Sequence, residues 1–180
     1  EYLLGDRILV APVQVEGATS REVRIPAGTW YPLFGGTPVS EDVTVTAGQN
    51  EIPVFVPEGA MLVLFPDGVD TVLDAPGLPS AITANTIDKD REVWLYPGTA
   101  IEPAHAAWND ELGAAGAAQW TWSGRPAGPT PSSAMFNGMP VTLSGGVVTV
   151  TGDGKLELAG GGTLTIARGF PAARVTVRLR

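Results

Sequence analysis

The segment Tyr2–Val13 constrains the fold of this 180-residue chain more than any other. A charged turn, Gly5-Asp6-Arg7, leads directly into the apolar run Ile8–Val13. An apolar run of this length, bounded by a turn and interrupted by proline, predicts a strand that is buried on both faces. Such a strand needs neighbours at both edges, although only seven residues precede it. Either the rest of the chain completes the strand, or the chain was cut from a larger protein, and the start at Glu1 favours the second alternative.

Alternation of apolar and polar residues recurs along the chain and predicts half-buried antiparallel strands. The alternating segments are Glu22–Ile25, Val43–Thr46, Lys155–Leu158, Thr163–Ile166 and Arg174–Leu179. Glycine pairs and triplets separate many of them, and a chain with 23 glycines and 16 prolines is a poor candidate for long helices. Short strands joined by such turns indicate β-sandwiches.

Three irregular stretches divide this pattern. Residues 67–79 are rich in Asp, Gly and Pro and predict a domain boundary. Residues 124–133 predict a long surface connection. Residues 104–118 are rich in Ala, but Gly113 and Gly116 weaken a helix, so we expect a loop with a single helical turn.

Composition excludes several classes of function. The net charge of −8, without clustered Lys or Arg, argues against nucleic-acid binding. The absence of cysteine excludes disulfides and thiolate metal sites, and no apolar run approaches the ~20 residues of a membrane-spanning helix. His105 is the only histidine, so neither a catalytic triad nor a site with two imidazoles can form, and we expect it to be exposed.

Two acidic clusters are candidates for calcium binding. They are Asp88-Lys89-Asp90 and Asn109-Asp110-Glu111. Calcium prefers several oxygen ligands from one loop, but neither cluster has the alternating ligands and closing Glu of a calcium loop. We therefore interpret both as solvated acidic loops and predict no metal site.

Tryptophans are the best candidates for ligand binding. Trp120 and Trp122 lie two residues apart and share one face if they lie on a strand, and Trp94 and Trp108 are in the same half of the chain. Indole faces stack on pyranose rings, so Trp108, Trp120 and Trp122 are candidate carbohydrate-binding residues. The alternative, which we favour, is that paired tryptophans fill a core.

Three ordered motifs resemble glycoside hydrolase family 31, the α-glucosidase and α-xylosidase family. They are Tyr2–Val13, then Ala27–Tyr31 with Leu33–Gly36, then Asn50–Ala60 with Met61–Phe65. In that family the first motif closes the catalytic barrel, and the others form the first β-domain behind it. Val93–Gly98 resembles a strand of the family's distal β-domain, although the acidic loop that usually follows is absent.

The resemblance implies that the parent protein hydrolyses α-glycosidic bonds with retention, using two aspartates on an upstream barrel. No stretch here resembles the family's nucleophile motif, a Trp and Asp followed by Met-Asn-Glu, so the chain should hold no catalytic residue and need no cofactor. Asp6 matches a family motif, which could place it behind the substrate-contacting residues near the end of the barrel. The alternative, which we favour, is a turn residue that caps the strand through its own backbone. Trp30 should pack against Phe34 or the barrel.

These observations predict an all-β chain with two antiparallel β-sandwich domains, preceded by the last strand of a truncated catalytic barrel. The predicted limits are 1–13 for the barrel strand, 14–75 for the proximal domain and 76–180 for the distal domain. The expected partner is the upstream catalytic barrel, with an oligosaccharide or a second copy of the chain as further possibilities. The rival hypotheses are a carbohydrate-binding module using Trp120 and Trp122, and a structural module without a ligand.

Overall fold

A computed structural model describes residues 1–5, 7–48, 50–66, 90–98, 104–108, 118–167 and 174–180. These residues form sixteen strands and no helix, which confirms the predicted all-β class. The strands are β1 Tyr2–Leu4, β2 Ile8–Val10, β3 Ser20–Val23, β4 Trp30–Pro32, β5 Val43–Thr46, β6 Val54–Pro57, β7 Met61–Leu64, β8 Asp90–Leu95, β9 Ala104–Trp108, β10 Ala118–Trp122, β11 Ala134–Phe136, β12 Met139–Val141, β13 Val147–Thr151, β14 Gly154–Leu158, β15 Thr163–Ala167 and β16 Arg174–Leu179. No described segment is a helix able to cross a membrane.

Strands β1 to β6, which we call the proximal region, form two sheets. One is antiparallel with the strand order β1-β2-β6-β4, and the other pairs β3 with β5. A small core lies among their apolar side chains. Its buried members are Leu9, Ala11, Val23, Trp30 and Phe55.

Strand β2 obtains its neighbours from within the chain. Leu3 pairs with Leu9 on one side, and Leu9 pairs with Phe55 on the other. Leu9 and Val10 are buried, as the apolar run predicted. Both hydrogen-bonding edges of β2 are therefore filled by strands of this chain.

Strands β7 to β16, which we call the distal region, form two larger sheets. Their orders are β13-β16-β8-β7 and β12-β11-β14-β15-β10-β9. All pairings are antiparallel except that of β8 with β16. The predicted alternation appears directly in the burial of β13 and β15, where Val148, Val150, Leu164 and Ile166 are buried and the threonines beside them are largely exposed.

One apolar core fills the space between the two distal sheets. Its fully buried side chains include Leu95, Leu156, Leu164 and Ile166, together with Trp120 and Trp122. Two packed sheets with inward-facing apolar residues are the arrangement expected of a sandwich. Met61, from the strand that precedes the predicted domain boundary, also belongs to this core.

The two regions are joined through β7 and the segment after β8. Strand β7 pairs with β8, so the segments on either side of the predicted boundary share a sheet, while residues 67–79 lie outside the described part. Gly98 has a φ of +134°, and a Cβ there would lie 2.5 Å from Glu58 Cβ and 2.6 Å from Gly59 N. Glycine is required because the two backbones meet at this point.

The prediction for residues 104–118 is wrong at both ends of the stretch. Residues 104–108 form β9 and β10 begins at Ala118, with Ala106 opposite Trp120. The helix propensity of alanine is overridden because the segment pairs with a strand already in the sheet. Residues 109–117, including Gly113 and Gly116, lie outside the described part. The connection 124–133 is irregular, as predicted.

Candidate functional site

The paired tryptophans of β10 lie inside the distal core. Trp120 and Trp122 are both 0% exposed, and they stand opposite Ile166 and Leu164 of β15. They share one strand face, as their spacing predicted, and this face is turned toward the opposite sheet. Neither indole therefore offers a surface on which a sugar ring could stack.

A glycine approaches Trp122 closely. Gly162 has a φ of +96°, and a Cβ at this position would lie 2.5 Å from Trp122 Cη2 and 2.9 Å from Gly124 O. Thus the last glycine of the 160–162 turn leaves room for the indole as well as reversing the chain. Among the described residues, Trp122 Nε1 has no hydrogen-bond partner.

The third tryptophan predicted to bind carbohydrate lies on the neighbouring strand β9. Trp108 ends β9 opposite Ala118. His105 lies on the same strand, is exposed as predicted, and its Nδ1 is 3.3 Å from Thr121 Oγ1. Asp6, Asp88, Lys89 and residues 109–111 lie outside the described part, and the described residues contain no group of metal-ligating side chains.

Trp30 packs differently from the prediction. It is 5% exposed, belongs to the proximal core with Leu9 and Phe55, and donates its Nε1 hydrogen to Pro26 O at 2.9 Å. Phe34 is 79% exposed and lies outside this cluster. The prediction that Trp30 packs against Phe34 is therefore wrong, because β4 directs Trp30 into the core between the two proximal sheets.

A polar cluster on β8 and β16 could not be recognised in the sequence. Glu92 accepts a hydrogen bond from Trp94 Nε1 at 2.6 Å and pairs with Arg178, while the Arg180 guanidinium lies 3.6 Å from the Trp94 ring centroid. Burial acts to raise the pKa of Glu92, but the hydrogen bonds from Trp94 and Arg178 outweigh it and lower that pKa. This cluster holds the Glu92 carboxylate in its charged form through one contact within β8, from Trp94, and one from β16, from Arg178.

A second cluster lies where the two regions meet. The rings of Tyr31 and Tyr96 are 5.7 Å apart, and burial raises the pKa of Tyr96 to about 12. Arg125 is 5% exposed, and burial lowers its pKa while the charge on Tyr31 opposes that effect. Backbone bonds in both directions link Arg125 to Gly98, at 2.7 and 3.1 Å.

Several exposed apolar side chains of the proximal region line one surface groove. Tyr2, Leu4, Phe34 and Ile52 are each more than half exposed and line one groove of about 1050 Å³, together with Val10 and Phe55. We call the four exposed side chains the apolar face. Monomeric proteins rarely expose large contiguous apolar patches, so this surface is a candidate interaction site.

Comparisons with known proteins agree with this architecture. An isomaltosyltransferase of Sporosarcina globispora is 30% identical over 117 residues, which are 63% of this chain and 10% of the relative. A probable alpha/beta-glucosidase of Arthroderma benhamiae is 27% identical over 117 residues, covering 59% of this chain and 13% of the relative. The chain thus spans about a tenth of the length of these curated relatives.

Solved structures share the fold over nearly the whole chain. The cycloalternan-forming enzyme of Listeria monocytogenes, solved with a pentasaccharide substrate, matches 94% of this chain and 18% of that one, with a TM-score of 0.59 and 18% identity. The family 31 dextranase of Flavobacterium johnsoniae, complexed with glucose, matches 92% of this chain and 26% of that one, with a TM-score of 0.56 and 18% identity.

The fold and these similarities are those of C-terminal β-domains of glycoside hydrolases. Residues 1–62 match the family model described as the glycosyl hydrolase family 31 C-terminal domain. Over these residues the chain is similar to that domain, and the resemblance inferred from its three motifs is confirmed.

Proposed function

We propose that this chain is a non-catalytic C-terminal part of an α-glycoside hydrolase, in which the proximal region packs against an upstream catalytic barrel and supports it. The observation that carries the proposal is the apolar face, with Phe34 79% exposed and Leu4 60% exposed. Burying a large aliphatic or aromatic side chain contributes roughly 1.5–3 kcal/mol. Covering the four side chains of this face is therefore a substantial driving force for docking.

The position of the face favours the barrel as its partner. Tyr2 and Leu4 lie on β1, which ends its sheet and is the first strand of the chain. A domain that precedes residue 1 would emerge beside this strand. The chain also spans only a small part of its longer relatives, which supports the presence of a further domain in the parent protein.

The activity of the parent is proposed from the family relationship. Family 31 enzymes hydrolyse α-glycosides with two aspartates, one as nucleophile and one as acid and base, and this arrangement belongs to retaining enzymes. The relatives named as an isomaltosyltransferase and a glucosidase favour a glucoside as the parent's substrate over a xyloside. The chain itself contributes structural support to this chemistry.

The proposed lack of hydrolytic activity is tested by assaying the purified 180-residue chain with aryl α-glucosides and α-xylosides at high protein concentration. We expect no turnover above the blank. A rate that follows the protein through purification, and is lost on substitution of one of its own carboxylates, would contradict the proposal.

Docking is tested by expressing the catalytic domain encoded upstream as a separate chain and measuring its association with this one. Phe34→Asp and Leu4→Asp should each weaken binding at least tenfold, because each places a charge in an apolar contact. Met139→Asp is the matched control, since Met139 is 66% exposed but lies on β12, in the distal region. Equal weakening by all three variants, or association of the chain only with itself in sedimentation, would refute barrel docking through this face.

A further inference from the structure

Strand β13 lies at the end of its sheet and has a neighbour at one edge only. The order β13-β16-β8-β7 gives it β16 on one side, in an antiparallel register that places Thr149 opposite Thr176. Among the described residues, no strand pairs with the other side of β13. A strand in this position presents backbone N–H and C=O groups to which a further strand can bind.

One backbone hydrogen bond shows which residues of β13 are bonded to β16. Leu179 N donates to Gly146 O at 2.8 Å, so Gly146 begins the series of residues that face β16. In an antiparallel pair, alternate residues exchange hydrogen bonds with the neighbouring strand. The series therefore continues with Val148 and Val150.

The residues between these face the open edge. Val147 does so, because it exchanges two backbone hydrogen bonds with Ser144 rather than with β16, at 2.9 and 3.0 Å. By the same alternation, Thr149 and Thr151 direct their N–H and C=O groups outward. Both residues are exposed, and within the described part of the chain neither forms a backbone bond outside the strand pairing. Two donors and two acceptors are therefore available at this edge.

The sequence of β13 does nothing to block pairing at this edge. Residues Val147–Thr151 are valines and threonines, which favour strands, and they include no proline or charged residue. An edge strand of the other distal sheet, β12, is different, because Pro140 lies at its centre and has no N–H to donate. Edge strands in native proteins are commonly protected in the second way, and β13 is not.

We propose that β13 pairs antiparallel with β13 of a second copy of this chain, giving a two-fold symmetric dimer with a continuous sheet. The free groups are self-complementary when the two-fold axis passes beside Val150. Thr149 then lies opposite Thr151 of the second copy, and Thr151 lies opposite its Thr149. Each facing pair exchanges two hydrogen bonds, so four bonds satisfy all the outward groups of both copies.

This register agrees with the other contacts of the strand. A register centred on Thr149 would place Val147 opposite Thr151 of the second copy, although the backbone of Val147 is already bonded to Ser144. The register centred on Val150 avoids that conflict and keeps the valines on the buried face of the sheet. The inference is independent of docking to a barrel, because the apolar face belongs to the proximal region.

The test is sedimentation of the 180-residue chain over a range of concentrations. A salt concentration of about 0.15 M screens the net charge of −8 beyond ~8 Å. We expect a reversible monomer–dimer equilibrium, which is weak because one strand pair is a small interface. Thr149→Pro removes the outward N–H without removing a bond to β16, and edge strands tolerate proline at such positions. It should raise the dissociation constant of the dimer at least about tenfold, because two of the four bonds are lost.

Thr149→Ala is the matched control. It removes the same side chain, including the hydroxyl that lies 3.4 Å from Thr176 Oγ1, but it keeps the backbone N–H. The dissociation constant should therefore stay within about twofold of the value for the unmodified chain. A monomer at every concentration, or equal losses in Thr149→Ala and Thr149→Pro, would overturn the proposal. A dimer that is lost in Phe34→Asp but kept in Thr149→Pro would overturn it as well, because it would place the contact on the apolar face.

A cross-linking measurement tests the register and decides the matter even if Thr149→Pro does not fold. The chain contains no cysteine, so one introduced thiol per copy reports a single contact. In the proposed dimer the Cα atoms of facing residues are about 5.5 Å apart, within the range of a disulfide, whereas diagonal residues are about 7–8 Å apart. A mixture of Thr149→Cys and Thr151→Cys should therefore form a disulfide-linked dimer several times faster than either variant alone. Equal rates in the mixture and the single variants, or no cross-linked dimer, would refute the proposed pairing.

Discussion

The proximal and distal regions both contain paired sheets, but they differ in how completely each covers its own apolar surface. The distal core encloses Trp120 and Trp122 completely, with side chains from two broad sheets around them. In the proximal region the core is small and Phe34, Leu4 and Tyr2 remain in solvent. The distal region therefore resembles a domain that can stand alone, whereas the proximal region resembles one that is completed by a partner.

Truncation of Trp122 should have the largest effect. Trp122→Ala removes a fully buried indole from the distal core, and such changes cost about 3–5 kcal/mol of unfolding free energy. Chemical denaturation measures this loss, and fluorescence titration with maltooligosaccharides should give no saturable signal in either protein. Phe34→Ala, at a site that is 79% exposed, is the control and should change stability by less than about 0.5 kcal/mol.

The comparison between the two regions fails if Trp122→Ala lowers the unfolding free energy less than Phe34→Ala does. A stable Trp122→Ala protein that has lost a saturable sugar signal of the unmodified chain would promote the carbohydrate-binding hypothesis for Trp120 and Trp122. It would also mean that the distal core is open in solution.

Truncation of Leu9 tests the proximal side. Leu9 is 3% exposed and packs among Trp30 and Phe55, so Leu9→Ala should cost about 2–5 kcal/mol. If the proximal region is the less self-sufficient one, the variant should lose it first, giving an early transition while the distal tryptophans keep their native fluorescence. A single transition at lower denaturant for all probes would show instead that the shared β7–β8 pairing makes the two regions one cooperative unit.

Gly162→Ala should have a smaller effect on the distal region. It forces a side chain into a φ of +96° and places a Cβ 2.5 Å from Trp122 Cη2, so we expect a loss of about 1–3 kcal/mol. Gly160→Ala is a matched control, because Gly160 has a φ of +85° but no atom within 4 Å of its Cβ position. Equal losses in the two variants, measured by denaturation, would show that backbone strain alone matters and that Trp122 can move aside.

The alternation of residues predicted strands in both regions but not their partners. An apolar run such as Ile8–Val10 indicates burial, yet many neighbours can provide it, and here β6 does so from more than forty residues away. The spacing of Trp120 and Trp122 predicted a shared face, but the direction of that face depends on a sheet closed by the parallel pairing of β8 with β16. Such long-range pairings leave no local signal in the sequence.

The same reason explains why Arg125 escaped notice. In the sequence it lies at the start of a connection rich in Pro and Gly, where an arginine is normally solvated. In the folded chain it bonds to Gly98 through its backbone and to Arg180 through its side chain, contacts that only the assembled distal region provides. By contrast, the three family motifs were recognisable because each is a contiguous stretch.

The smallest expected effect is a change in acid stability through Glu92. Because hydrogen bonds from Trp94 and Arg178 lower its pKa in the folded state, the unfolded chain binds the proton more readily. The stabilisation is therefore present above the unfolded-state pKa of ~4.3 and is lost as the pH falls from there through the lower folded-state value. Glu92→Gln should remove this part of the acid dependence, and Trp94→Phe should reduce it by removing one hydrogen bond. Melting temperatures between pH 3 and 7 measure it, and an unchanged acid slope in Glu92→Gln would show that the β8–β16 cluster does not contribute to the greater self-sufficiency of the distal region.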